Sequence, residues 1–314
     1  MSITLYFSKI NVNSHIYDVY DEKEDLNSIL KKVYLNIKED TTYTQTETRT
    51  NEIGEEFTYE AYFKFNLIEK SNTDYTIAGN VIKTSNLFVN EINEATGEIT
   101  KVPVENSEVI PFYFDVYREI VAFYTTNRFG YNVFNYAFKE LLNECMSTED
   151  EEFNFEVSIL KQGLSVNAIQ SQLGQIGKLE SLTIEIIPPN PDDDLLDAIQ
   201  QNGEGEGYLN DIKSGNVTHR STIFTSKAPD GLNIDAKIIK KELQKIDQIH
   251  PQLSSEEAIK YGYVTVEATN KNGRAYSTND NQPTKYKLNE KPKTLKEFAE
   301  ICKQKVLAIV GSSQ

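Results

Sequence analysis

The sequence is poor in the residues that build the commonest catalytic and metal centres. Its 314 residues contain no tryptophan, only two cysteines and only three histidines. His15, His219 and His250 are not spaced like metal ligands, and neither Cys145 nor Cys302 has a C-x-x-C partner. Walker A, G-x-S-x-G and kinase patterns are also missing. We therefore expect no zinc enzyme, α/β-hydrolase or P-loop NTPase, no cofactor, and two free thiols on helices.

Long apolar runs are missing as well. None approaches the roughly 20 residues that a membrane-spanning helix needs. The first residues, MSITLYFSKINVN, lack the basic region of a signal peptide. We therefore expect a cytoplasmic protein, and a hydrophobic content of 39% is enough to fill one large core or two ordinary ones.

Positive charge is scarce in the first half of the chain and concentrated near its end. Residues 1–160 carry 13 Lys and Arg against 28 Asp and Glu, and residues 161–210 carry 2 against 8. Residues 211–314 carry 17 against 12, which brings the net charge to −16. This asymmetry favours a role in which the acidic part and the basic part of the chain each bind a partner of the opposite charge. Acidic surface that only keeps the protein soluble is the alternative.

Alternating and helical patterns predict an α+β protein with mixed, mostly antiparallel sheets, packed helices and two domains. The predicted domains are 1–153, acidic and rich in strands, and 154–314, with a basic face. In the first, residues 57–67 alternate with Phe57, Tyr59, Ala61, Phe63, Phe65 and Leu67 on one face. A hairpin of strands 109–115 and 118–125 follows, and then a helix with an apolar stripe over 132–146.

The second predicted domain contains a helix ended by Gly177, a strand, a linker over 200–216 and three further pieces. The first piece is a helix with Ile238, Ile239, Leu243, Ile246 and Ile249 on its apolar side. The second is a hairpin with Val264, Val266 and Ala268 on one face and NKNGR at its turn. The third is a closing helix with a capping box of Thr294 and Glu297, and Gly311 just past its end.

Three consecutive aspartates in TIEIIPPNPDDD allow two interpretations. Asp192, Asp193 and Asp194 could contribute to a Mg²⁺ site of a nuclease, which needs carboxylates that converge from several strands. The favoured interpretation is a strand-to-helix corner, because acidic residues cap a helix N-terminus and suit its dipole.

Basic side chains in the last hundred residues predict contact with the phosphates of DNA rather than with its bases. They occupy the helix after residue 236, the hairpin tip and two strands. The alternative for any one of them is a solvated surface charge. The predicted residues are Arg220, Lys227, Lys237, Lys240, Lys241, Lys245, Lys271, Arg274, Lys285 and Lys287.

Three stretches resemble an uncharacterised bacterial family related to the phage-exclusion protein RexA. They are KLESLTIEIIPPNPDD, RSTIFTSKAPDGLN and EAIKYGYVTVEATNKNGRAYSTNDNQPTKYKL. The resemblance covers roughly residues 110–290, and the hairpin PFYFDVYREIVAFYTT and its following helix look like their RexA-like equivalents. It implies a two-domain α+β homodimer that binds double-stranded DNA with little sequence preference. Of the family's DNA-contacting positions, it carries over Lys227 and Arg220.

The resemblance further implies a sensor of phage infection, in abortive-infection defence, that signals to a separate effector. We therefore expect a non-enzymatic, cytoplasmic anti-phage protein that binds DNA or a phage DNA–protein complex, with a membrane protein or ATPase as the effector. Two alternatives remain: an acidic interaction protein, acting by DNA mimicry, and a metal-dependent nuclease that uses Asp192–Asp194.

Overall fold

The computed structural model of the chain describes residues 2–50, 54, 56–92, 99–191, 196, 208–249 and 253–311. Within these residues the chain forms two sheets and eight α-helices, which confirms the predicted α+β class. The helices are α1 (Ile16–Tyr20), α2 (Leu26–Asn36), α3 (Tyr131–Met146), α4 (Val166–Ile176), α5 (Tyr208–Ser214), α6 (Lys237–Gln244), α7 (Ser255–Lys260) and α8 (Leu295–Gly311). None of these helices is long and apolar enough to cross a membrane.

The larger sheet has eight strands in the order β12-β1-β6-β5-β4-β3-β2, and β7 also pairs with β1. Its strands are β1 (Ile3–Val12), β2 (Thr42–Thr50), β3 (Glu56–Ser71), β4 (Thr76–Ile92), β5 (Ile99–Asp115), β6 (Ile120–Tyr124), β7 (Phe155–Ile159) and β12 (Lys285–Leu288). β4 and β5 pair antiparallel along their whole length, from Thr76 opposite Asp115 to Ile92 opposite Ile99. The predicted hairpin is thus β5 and β6, with β5 beginning ten residues earlier than predicted.

Aromatic side chains fill the core on one face of the larger sheet. Phe65 and Phe112 are fully buried, and their rings lie 5.7 and 5.2 Å from the ring of Phe138 on α3. Because strand side chains alternate, the odd-numbered aromatic residues of β3 face this core together, as predicted. Leu67 is an exception. The strand has an irregularity between Asn66 and Glu69, Leu67 adopts a positive φ of 51°, and its side chain is 57% exposed.

The smaller sheet has four antiparallel strands in the order β11-β10-β8-β9. These are β8 (Leu179–Ile186), β9 (Arg220–Thr225), β10 (Val264–Asn270) and β11 (Ala275–Ser277). One face is apolar and buried against helices. Its core includes Leu182, Ile184, Val264, Val266 and Ala268 from the strands, with Ile169, Leu173, Ile239 and Leu243 from α4 and α6. The predicted hairpin faces are confirmed for Val264, Val266 and Ala268 on one side and for Thr265 and Glu267 on the other, whereas Tyr263, predicted on the outer side, is buried.

Four local predictions for the chain after residue 200 are wrong. Gly311 is the last residue of α8 instead of lying just past its end. Ile238 is 66% exposed because α6 begins only at Lys237 and gives way to a 3-10 turn at Lys245–Gln248. The predicted linker 200–216 contains the helix α5, whose Ile212 is buried. At the start of α8, Thr294 accepts a hydrogen bond from the Glu297 amide as predicted, but the Glu297 carboxylate accepts from the Lys293 amide instead of that of Thr294.

The chain folds into two compact units, each discontinuous in sequence. Unit 1 comprises residues 1–5, 30–152 and 286–314, and unit 2 comprises residues 6–29 and 153–285. The predicted domains, 1–153 and 154–314, are continuous stretches, whereas each unit also takes in sequence from the other end of the chain. The smaller sheet and the helices α4 to α7 all belong to unit 2.

Candidate nucleic-acid interface

The ten predicted DNA-contacting residues fall into four groups in the structure. Two hold a buried carboxylate, three lie on α6, two lie on β12, and three lie together at one end of the smaller sheet. The groups differ in how much of their charge is available to a ligand.

Arg220 and Lys245 are engaged by Glu242, a buried residue of α6. The Arg220 guanidinium lies 2.7 Å and the Lys245 ammonium 2.9 Å from the Glu242 carboxylate. The Thr222 hydroxyl donates to the same carboxylate at 3.2 Å. Both cations neutralise a carboxylate that cannot be buried alone, so their first role is structural.

The lysines of α6 are more accessible to a ligand than Arg220 and Lys245. Lys240 forms an ion pair with Asp235 at 2.8 Å, and both side chains are well exposed. Lys237 and Lys241 are exposed, on the side of the helix away from the buried Ile239 and Leu243.

Lys285 and Lys287 are also exposed, and they alternate on β12, a strand of the larger sheet. They therefore do not belong to the surface that the smaller sheet forms.

Lys227, Lys271 and Arg274 meet at the end of the smaller sheet where β8 begins and β10 ends. The Lys271 amide donates to the Lys178 carbonyl at 3.3 Å, and the Lys271 ammonium donates to the carbonyls of Lys227 and Ala228. Lys178 therefore joins these three residues, and we name Lys178, Lys227, Lys271 and Arg274 the basic end. All four side chains are exposed, and that of Lys227 is 91% exposed.

Three hydrogen bonds of the Asn270 side chain fix the hairpin turn of the basic end. The Asn270 side-chain oxygen accepts hydrogen bonds from the amides of Asn272 and Arg274, each at 2.9 Å. The Asn270 side-chain amide donates to the carbonyl of Ile176, in the last turn of α4, at 3.1 Å. Asparagine is well suited to such a turn because its short side chain can satisfy backbone groups two to four residues away. The positions of Lys271 and Arg274 are therefore set by the turn.

A glycine sets the position of the loop that carries Lys227. Gly231 adopts a φ of +77°, and a Cβ atom there would lie 2.6 Å from the carbonyl oxygen of Leu179. The Leu232 amide then donates to that carbonyl at 2.8 Å. Only glycine allows both the positive φ and this close approach, so the loop returns directly past the start of β8.

The charge of the basic end is only partly balanced by acids of the same loops. Lys227 lies 3.0 Å from Glu180, and this hydrogen bond is the main cause that lowers the pKa of Glu180 below its usual value. The loop after β9 also carries Asp230 and Asp235, but Asp235 pairs with Lys240, which leaves Glu180 and Asp230 as the two carboxylates beside the four cations. Four cations against two carboxylates leave an excess of positive charge that can bind an anion.

Lys178 was not among the residues predicted from the sequence. It follows Gly177, which ends α4 with a φ of 62° and donates its amide to Leu173. A lysine directly after a helix C-terminus commonly stabilises the carbonyls of the last turn, so the sequence signal points to a capping role. Only the pairing of β8 with β10 reveals its neighbours, because this pairing places Leu179 opposite Asn270.

The face of the smaller sheet opposite the helices is polar. Its central row joins Ile223, Thr183 and Glu267, and the next row joins Thr225, Ser181 and Thr269. The hydroxyls of Ser181 and Thr269 lie 2.6 Å apart, and Ile223 is 63% exposed. This face carries hydroxyls and carboxylates rather than cations. In the smaller sheet, the cations that are available to a ligand therefore lie at its end rather than on this face.

The charge asymmetry along the sequence does not become a difference in net charge between the two units. Unit 1 contains 17 Lys and Arg against 25 Asp and Glu, and unit 2 contains 15 against 23. Each unit therefore has a net charge of −8, because the lysine-rich residues 286–314 belong to unit 1. The contrast between an acidic and a basic half, which the sequence indicates, is replaced by local positive surfaces on two acidic units.

The described residues contain no cluster of three or more histidine, cysteine or acidic residues that could hold a metal ion. His219 is 51% exposed and lies 4.0 Å from Glu185. Both cysteines are free, as expected, and burial raises the pKa of each thiol. The predicted corner at Asp192, Asp193 and Asp194, as well as His250, lies outside the described residues.

Comparison with known families gives one match. The model of a family described as a domain of unknown function (DUF4747) matches residues 3–306. Searches of curated proteins and of solved structures found no match.

Proposed function

The chain belongs to the DUF4747 family, and we propose that it is a non-enzymatic protein that binds double-stranded DNA without strong sequence preference. The observation that carries the proposal is the basic end. Three residues predicted as phosphate contacts lie there with Lys178: Lys227 from the loop after β9, and Lys271 and Arg274 from the turn between β10 and β11.

The chemistry of the basic end suits phosphates better than bases. Lysine ammonium groups bind phosphate as point charges, and exposed lysines carry little information about base identity. Arg274 is the one side chain of the four that could form a bidentate contact. Such a surface neutralises a few phosphates and releases their counterions, so binding should be weak and sensitive to salt.

The acidic remainder of unit 2 restricts how DNA can approach. With a net charge of −8, the unit repels a polyanion over most of its surface, and the basic end is a local exception. Lys227 is also shared with Glu180, which reduces its attraction for phosphate. We therefore expect contact with only about three or four phosphates, with a correspondingly modest salt dependence.

The RexA-like resemblance supports the same surface through Lys227, although Arg220, the other residue that it carries over, is held by Glu242, and it adds a biological setting. The three stretches that carry the resemblance are those that supply the four cations of the basic end. In that setting the protein would act as a homodimer, sense phage DNA or a phage DNA–protein complex, and signal to a separate effector.

Fluorescence anisotropy with labelled 30-bp duplexes of two unrelated sequences tests the proposal. At about 50 mM salt the wild-type protein should bind both duplexes with affinities within a few-fold of each other. The variant Lys178→Ala/Arg274→Ala should bind both more weakly to the same extent. The control Lys31→Ala/Lys293→Ala removes the same charge from exposed positions of unit 1 and should bind like wild type. Failure of the wild type to bind either duplex would refute the proposal.

A further inference from the structure

Unit 1 contains a cavity of about 480 Å³ that is lined by residues of β3, β4 and β5 and by Arg128. Its size falls within the range of small-molecule sites, roughly 300–1,000 Å³. From its lining we infer that the cavity binds a nucleotide, either free or as one unit of a single strand. This inference does not depend on the basic end, which lies in unit 2.

Two aromatic side chains provide one wall. Phe57 and Tyr59 line the cavity and are half-buried on β3. They share a face with Phe63, whose ring lies 6.1 Å from the ring of Phe129 and marks where the closed core begins. Aromatic rings on an open sheet face are platforms on which a nucleobase can stack, whatever its identity.

Neutral polar groups lie beside this wall, on β4 and β5. Ser85, Asn86 and Asn106 line the cavity, and Ser85 is directly opposite Asn106 in the antiparallel pairing. A side-chain amide offers both donors and an acceptor, so it can match the edge of any base. The Asn106 amide, on the face of Ser85, can hold a planar heterocycle in place beside the aromatic wall, whereas the Asn86 side chain points to the other face because strand side chains alternate.

Two cations complete the lining. Arg128 lies in a turn closed by two hydrogen bonds, from the Thr126 amide to the Phe129 carbonyl and from the Phe129 amide to the Thr126 hydroxyl, each at 3.2 Å. The Thr126 hydroxyl in turn donates to the carboxylate of Glu108. This chain of contacts fixes Arg128 at the rim of the cavity. The Lys83 ammonium lies 6.0 Å from the centre of the Phe129 ring, next to the same rim.

The combination identifies the ligand class. Lys83 and Arg128 against Glu108 give the described lining a net charge of +1, within a unit of net charge −8. A hydrophobic ligand would not need the two cations and the Asn106 amide, and inorganic phosphate would not need the aromatic wall. A nucleoside phosphate uses all three groups, by stacking, by hydrogen bonding of its base and by ion pairing of its phosphate.

Isothermal titration calorimetry of the full chain tests this inference. The probes are AMP, GMP, CMP and UMP, a (dT)₁₂ oligonucleotide, and ribose 5-phosphate as a probe without a base. We expect binding of at least one mononucleotide or of the oligonucleotide, and at least tenfold weaker binding of ribose 5-phosphate. Binding of mononucleotides identifies a free nucleotide as the ligand, whereas binding of the oligonucleotide alone identifies a single strand.

Paired variants assign the binding to the cavity. Tyr59→Ala and Arg128→Ala should each weaken binding at least fivefold, the lower limit expected for loss of a stacked base. Tyr62→Ala is the matched control, because Tyr62 is an exposed tyrosine of β3 on the opposite face of the sheet. Thermal unfolding of each variant checks that it is folded, and Arg128→Ala changes only an exposed loop residue. The inference is overturned if no probe binds at about 5 mM, or if both variants bind like wild type. Binding of ribose 5-phosphate as tight as that of the nucleotides would also overturn it.

Discussion

Glu242 illustrates, at the scale of single residues, why a count of lysines and arginines overstates a binding surface. The sequence places Arg220 and Lys245 among the phosphate contacts, but both lie within 3 Å of this one buried carboxylate. The residues that stay available are exposed, and where they pair with an acid, as Lys227 does with Glu180 and Lys240 with Asp235, the partner is at or near the surface rather than buried. No periodicity reveals this difference, because Arg220 and Glu242 are 22 positions apart and on different elements.

Neutralising Glu242 should destabilise the protein. In Glu242→Gln the two cations lose their common counter-charge in a partly buried site, and we expect a loss of about 1–3 kcal/mol in the free energy of unfolding. Urea denaturation measures this loss. Asp235→Asn, which removes the exposed partner of Lys240, is the control and should cost less than about 0.5 kcal/mol. Equal effects of the two substitutions would contradict the role given to Glu242.

Lys161 provides a test that depends on pH. Its side chain is buried and donates to Asn279 at 2.5 Å, and burial lowers its pKa to about 8, although Glu267 and Asp280 act in the opposite direction. In the unfolded chain its pKa is close to 10.5. Between these two values the unfolded state binds more protons than the folded state. The free energy of unfolding therefore rises as pH increases from about 8 towards 10.5.

The variant Lys161→Met isolates this contribution from other titrating groups. The stability of the wild type relative to the variant should increase by about 1–3 kcal/mol between pH 8 and pH 10, since one pKa unit corresponds to about 1.4 kcal/mol. Urea denaturation at three pH values gives the difference. A difference that stays constant, or that falls with pH, would show that burial does not lower the pKa of Lys161 in the folded state.

At the scale of secondary-structure elements, strong periodicity was the most reliable guide. The aromatic alternation of β3, the stripe of α3 and the faces of β10 follow from the residues themselves, because each buries one regular face. The errors occur where the backbone leaves its regular geometry. Leu67 lies in a bulge, Ile238 lies at the first turn of α6, and α5 follows glycines that resemble a linker.

The candidate site depends on pairing between elements that are distant in sequence. Lys227, Lys271 and Arg274 were predicted singly, from their charge and their positions beside strands. Their proximity to Lys178 follows from the register of β8 with β10 and with β9, which one sequence does not specify. The cavity of unit 1 was missed for the same reason, since its lining comes from three strands and a turn.

The loop between β9 and α6 should be sensitive at Gly231. Gly231→Ala introduces a Cβ 2.6 Å from the Leu179 carbonyl oxygen at a φ of +77°, so the loop must move. We expect a loss of about 2–3 kcal/mol in the free energy of unfolding, together with weaker DNA binding as Lys227 is displaced. Gly273→Ala has the same φ but open space around its Cβ, and it should cost only about 1 kcal/mol. Denaturant titration of both variants separates the destabilisation caused by the close approach of the Cβ atom from that caused by the positive φ alone.

At the scale of the whole molecule, the fold redistributes charge. A chain that is strongly acidic in its first half and mildly basic at its end becomes two units of equal net charge, −8 each. An argument for DNA binding therefore cannot rest on a basic domain. It rests on local surfaces where cations from several loops meet, and the basic end is the surface of this kind that bears residues predicted from the sequence.

The dependence of DNA affinity on salt tests the central claim most directly. Each neutralised phosphate contributes about −0.9 to the slope of log K against log salt concentration. We predict a wild-type slope of about −3 to −4, reduced in magnitude by about 2 in Lys178→Ala/Arg274→Ala and unchanged in Lys31→Ala/Lys293→Ala. A slope that is the same in all three proteins, or the absence of binding at about 50 mM salt, would contradict the account.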